Sequence, residues 1–90
     1  MSFETTLTEG LEIAAMPNPS TSNFNVIIKG SNKSPVQLRV TDMFGRLVEH
    51  YESVNSNTMV VIGQRLKGGT YFVEVIQGQQ RKILKLIKVN

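Results

Sequence analysis

The feature that most constrains this chain is the shortness of its apolar runs. From Phe24 onward hydrophobic and polar residues alternate in brief bursts, and each burst ends at a cluster of Gly, Pro, Asn or Ser. Alternation with a period of two, broken at such intervals, is the pattern of half-buried strands, and no long window keeps a clean helical period instead. "FNVII" places Phe24, Val26 and Ile28 on one face, and "VQLRVT" places Val36, Leu38 and Val40 inward with Gln37, Arg39 and Thr41 outward. The loop between them, "KGSNKSP", is rich in turn residues, so the two runs are expected to pair as a hairpin. "LEIAAM" precedes them, and "RLVEHYESV", "MVVI", "TYFVEVI" and "KILKLIKV" follow. The expectation is an all-β chain of about seven strands, an immunoglobulin-like antiparallel β-sandwich.

A chain of 90 residues has room for one core. Its first eleven residues are rich in Thr and Glu and read as a flexible linker, with Met1 and Ser2 as residues added for expression; residues 12–90 are the expected folded domain. Nothing approaches the run of about 18 apolar residues that a membrane-spanning helix needs, so membrane insertion is not expected. The start also lacks the basic and apolar regions of a signal peptide, which fits either a cytosolic protein or a piece of a longer exported one.

The net charge of +3 arises from 10 Lys and Arg against 7 Asp and Glu, and Arg81, Lys82, Lys85 and Lys88 crowd the last ten positions. That is a property of one end. Nucleic-acid binding would want a broad basic face interleaved with exposed aromatics, whereas the aromatics here fall in strand segments as core candidates. The chain has no Cys, so it holds neither a disulfide nor a thiolate metal site.

Catalysis finds little to work with. The single His, His50, lies in a strand run beside Glu49 and Tyr51 with no nucleophile set against it. Zinc needs three or four ligands and calcium six to eight oxygens, and Asp42 alone supplies neither, so no cofactor is expected. Glu49, Glu52 and Glu74 are best explained as solvated strand faces.

The turn residues say more. In "TDMFGRLVEH", Asp42 closes one strand and can accept hydrogen bonds from the N–H groups of the turn it starts, Gly45 can take the left-handed conformation, and Arg46 resumes the next strand within reach of Asp42. In "KGGTYF", Gly68 and Gly69 allow positive φ before a strand, and Tyr71 is expected to bury its ring while its hydroxyl finds a backbone acceptor.

Taken in order, "PNPSTSNFNV", "DMFGRLV", "LKGGTYFVEV" and "RKILKLIK" resemble the C-terminal sorting domain, type A, of cargo exported by the type IX secretion system of Bacteroidetes-type bacteria. The resemblance runs from Met16 to Asn90. It maps the family pattern onto Pro17, Asn18 and Pro19 with Phe24 and Val26, onto Asp42, Gly45, Arg46 and Val48, onto Leu66, Gly69, Tyr71, Val73 and Val75, and onto Lys82, Lys85 and Lys88.

What the resemblance implies is a non-catalytic label at the end of an exported precursor. The label crosses the periplasm with an N-terminal cargo domain, is read by the secretion machinery, and is removed by a sortase-like peptidase as the cargo reaches the surface or the medium. Its linker would be the place of removal. Lys82 and Lys88 are explained equally well as solubilising edge charges. Lys85 shares a face with Ile83 and Ile87, at the rim of the core or in a specific role. The alternative is a fibronectin-like spacer or carbohydrate-binding module, for which Tyr51 is the one candidate ring, and an exposed edge strand leaves dimerisation open.

Overall fold

The computed structural model describes residues 10–30 and 32–90. Seven strands follow one another: β1 (Glu12–Met16), β2 (Phe24–Lys29), β3 (Val36–Asp42), β4 (Leu47–Val54), β5 (Thr58–Ile62), β6 (Gly69–Gln77) and β7 (Gln80–Lys88). They form a three-stranded sheet in the order β1-β2-β5 and a four-stranded sheet in the order β4-β3-β6-β7, with every strand pair antiparallel. This is the expected immunoglobulin-like β-sandwich, and no helix occurs among the described residues.

The alternation explains the core. Phe24, Val26, Ile28 and Ile62 of one sheet meet Val36, Leu38, Val40, Tyr71, Val73, Val75 and Leu86 of the other, all essentially excluded from water. Leu11, placed at the end of the expected linker, also belongs to this core, and its N–H donates to Gln80 Oε1 at 2.8 Å. The rest of that linker, residues 1–9, lies outside the described residues.

One expectation is overturned. β2 and β3 do not pair; β2 lies between β1 and β5, and β3 between β4 and β6. Alternation told correctly which side of each strand is buried, but the two apolar faces bury against each other across the sandwich rather than side by side. The loop joining them, expected to be longer than a tight turn, crosses the gap of about 10 Å between packed sheets instead of closing a hairpin.

The chain leaves β5 through Gly63, which is buried with φ +81°. A Cβ there would lie 2.9 Å from Phe24 Cδ2, whereas one on Gly45, at nearly the same φ of +82°, would meet nothing within 4 Å. Gly45→Ala should therefore cost about 1 kcal/mol of backbone strain, and Gly63→Ala about 2–4 kcal/mol, because overpacking against Phe24 is added to it. Urea denaturation of the two variants checks this; equal losses would mean that Phe24 yields freely.

Candidate functional site

The Asp42 turn is built as its residue types require. Asp42 N–H donates to Arg46 O at 3.0 Å and Gly45 N–H to Asp42 O at 3.1 Å. Asp42 Oδ1 accepts from Phe44 N–H at 2.8 Å and Arg46 N–H at 3.0 Å, and Arg46 Nε donates to Oδ2 at 2.7 Å. The carboxylate is only 12% exposed while the Arg46 side chain is 75% exposed. Partial desolvation alone would raise the Asp42 pKa, but the bonds from Arg46 and Phe44 and the charge of Arg46 outweigh it and hold the group below its ordinary 3.8. Above this scaffold stand Met43, 68% exposed, and Phe44, 83% exposed, with the Arg46 guanidinium 5.7 Å from the Phe44 ring centre.

Next to it, Asp42 pairs with Tyr71 at the start of β6. The Tyr71 ring is buried and its hydroxyl donates to Lys67 O at 2.8 Å, four residues upstream, as in the tyrosine corner of immunoglobulin-like domains. Gly69 has a φ of +155°, as expected of a glycine, but Gly68 takes no positive φ. A Cβ on Gly68 would lie 2.8 Å from the Asn90 side-chain amide, which is exposed and can swing away, so nothing in the structure demands a glycine there.

β7 departs from the expectation. Its inward face carries Leu84, Leu86 and Lys88, whereas Ile83, Lys85 and Ile87 all point to solvent. Lys85 is therefore on the outer face, not at the core rim. Lys88 is no edge charge: it is 5% exposed, and its Nζ donates to Gly63 O. That carbonyl also accepts from Leu66 N–H at 3.2 Å, and Gly63 N–H donates to Glu49 Oε1 at 3.2 Å. Glu49 Oε1 takes a further bond from Tyr51 OH at 2.9 Å. Burial and the Glu49 carboxylate together push the Tyr51 phenol above its ordinary 10, so it remains a donor.

The Pro17–Pro19 stretch runs along the outer edge of the same strand. Asn18 spreads its amide over the β7 backbone, donating from Nδ2 to Lys85 O at 2.8 Å and accepting at Oδ1 from Ile87 N–H at 3.0 Å. Ser20 continues the pairing, with its N–H to Ile87 O at 3.0 Å and Val89 N–H to Ser20 O at 2.7 Å. The Asn18 amide stands in for a strand residue at a position flanked by two prolines, which can donate no backbone N–H.

Asn18, Asp42, Gly45, Arg46, Leu66, Gly69, Tyr71 and Lys88 thus gather at one end of the sandwich, and Pro17 and Pro19 frame it. Lys85 contributes its carbonyl. Lys82 does not join them: it pairs with Val75 toward the β6–β7 hairpin, the end where Leu11 meets Gln80. Sequence reasoning missed Ser20, Glu49 and Gly63. A lone glycine closing the apolar run "MVVIG" was the one available sign of the last. His50 sits on the outer face with Gln37 Nε2 at 2.9 Å and Glu52 Oε2 at 3.4 Å, and no nucleophile faces it among the described residues.

The model of the secretion system C-terminal sorting domain family matches residues 14–89. The chain belongs to that family. The domain is a C-terminal signal for type IX secretion that works attached to an N-terminal cargo and together with the secretion machinery, its family is one of sorting signals rather than catalysts, and it marks an exported protein, secreted or held at the surface. Among curated proteins no match was found.

Two outcomes follow from the geometry of this sorting domain. Lys88→Met keeps the buried stem but removes one donor from Gly63 O, so it should cost about 1–2 kcal/mol, or roughly 5–10 °C in melting temperature. Lys82→Met at the exposed opposite end should stay within about 0.5 kcal/mol of the parent; equal melting of the two variants would show that the buried ammonium contributes nothing.

The Asp42 carboxylate has a folded-state pKa below its unfolded one. Its contribution to stability is therefore complete above the ordinary value and lost as pH falls through the lowered one. A carbon-detected NMR titration should give an Asp42 midpoint below 3.8, with the Phe44 and Arg46 amide shifts following the same curve. A midpoint at or above 3.8 would contradict the bonding described.

Proposed function

We propose that the end of the sandwich holding Asp42, Gly45, Arg46, Tyr71 and Lys88 is the surface that the type IX machinery reads in the periplasm. Pro17, Asn18, Pro19, Leu66, Gly69 and the Lys85 backbone hold that surface in shape. The observation that carries this reading is spatial. Motif elements spread from Pro17 to Lys88 come together at one end, while Leu11, where the cargo side joins the core, lies at the other. β7 spans nine residues, or about 30 Å of extended chain, so an attached cargo leaves the motif end uncovered.

On this reading the linker expected ahead of the core residue Leu11 is where a sortase-like peptidase separates cargo from signal. Lys82 and the Lys85 side chain serve solubility at the opposite end and on the outer face. A dimer, if one forms, would use an edge strand such as β4 or β5. The carbohydrate-binding alternative loses its platform, because Tyr51 packs against the core and commits its hydroxyl to Glu49.

The test is export. Residues 1–90 are fused behind a signal peptide and a fluorescent protein, then expressed in a type IX host and in its secretion-deficient counterpart. Fluorescence at the surface or in the medium of the competent host alone, with the domain trimmed away, is the expected result. Periplasmic retention in both hosts would refute it.

A further inference from the structure

Met43 and Phe44 do nothing for the core. Both stand in solvent at the tip of the β3–β4 hairpin, yet the backbone beneath them is pinned by the hydrogen bonds of Asp42 described above. Ordering a turn costs conformational entropy, and here little apolar area is buried in return. Polar residues are the ordinary choice for a turn that faces water. Two large apolar side chains in that place, one with a guanidinium stacked on it, are explained by a contact outside the chain.

Resting on the sorting function proposed above, we infer that the Met43–Phe44 tip is the anchor by which this domain docks, entering an apolar pocket of a protein partner whose rim is acidic. Aromatic and Arg side chains are the types that dominate protein interfaces, and a tip already held in its bound shape loses little freedom on docking. Leu47 and Val48, both exposed, continue the apolar strip down β4 to a cleft that Val48 shares with Arg65.

The acidic rim follows from charge. Asp42 is occupied by Arg46 and the turn amides, and among the described residues no carboxylate lies within ion-pair reach of Arg65 or Lys67. With Arg46 matched by Asp42 and the Glu49 of the cleft matched by the buried Lys88, Arg65 and Lys67 of the β5–β6 loop leave this end of the domain net positive. A lipid surface fits less well. Electrostatic attachment to anionic bilayers takes clusters of about four to eight cations, and the hairpin and its neighbouring loop carry fewer.

Phe44→Ser in the exported fusion is the test. Because Phe44 is almost wholly exposed, the isolated variant should melt with the parent, while export should fall about tenfold or more, as for an interface anchor. Phe44→Leu should restore most of the export, and Met59→Ser, which removes an exposed apolar side chain on the other sheet, should leave it unchanged.

Parent and Phe44→Ser exported alike would overturn the anchor while leaving the sorting function standing. A parent that is not exported in the competent host would take both down. Flotation of the 90-residue domain with vesicles of phosphatidylethanolamine and phosphatidylglycerol, abolished by Phe44→Ser, would overturn the protein partner in favour of a lipid surface.

Discussion

Three separate stretches at the motif end of this domain are tied together by Lys88. Along the sheet its backbone pairs with Gly69 of β6 on one side and bridges to Ser20 on the other. Across the sandwich its ammonium reaches the Gly63 carbonyl at the exit of β5. A buried ammonium is tolerated only where acceptors meet it, since leaving it unpaired costs several times what one hydrogen bond returns. Gly63 can meet it because the position has no side chain: a Cβ would strike Phe24, and the φ there suits glycine. Its N–H, turned toward Glu49, carries the connection on to β4 and Tyr51. The last strand, the β5–β6 loop and the edge strand β4 are thereby held as one unit.

The same strand has its outer edge closed by an unusual device. An exposed edge offers unpaired N–H and C=O groups to any other extended chain, which is a hazard for a domain. Here the Asn18 side chain supplies one donor and one acceptor in the place of a backbone, between prolines that could not have made those bonds, and Ser20 then takes over with its own backbone. The Pro-Asn-Pro-Ser stretch is therefore a seal on the C-terminal half of β7, and its conformation depends on β7 being in register.

Much of this was legible in the residues and some of it was not, for physical reasons. Alternation reveals which face of a strand is buried, so Phe24, Val26, Ile28, Val36, Leu38 and Val40 were placed correctly. It does not reveal which strand lies alongside, and the neighbours β2 and β3 proved to face each other from different sheets. The Asp42 turn was readable because its bonds are local, spanning at most four residues. β7 was ambiguous because "KILKLIK" carries apolar residues on both faces. Only the partner across the sandwich, Gly63, decides that Lys88 turns inward and Lys85 outward, and nothing in the local sequence names a partner 25 residues away.

That dependence on distant partners bears on what kind of signal this is. A linear sorting peptide can be read from an unfolded chain, but the surface described here does not exist until β3, β6, β7 and the Pro17–Ser20 stretch have met. Asp42 reaches Tyr71 through sheet pairing, and Ser20 reaches Lys88 across most of the sequence. A reader of this end would therefore respond to a folded domain and pass over an unfolded one. The cost is that stability and recognition cannot be varied independently near Lys88 and Gly63. The Met43–Phe44 tip escapes this coupling because it buries little and its turn is held by local bonds, which is the reason it can be altered to probe recognition while the sandwich beneath it stays intact.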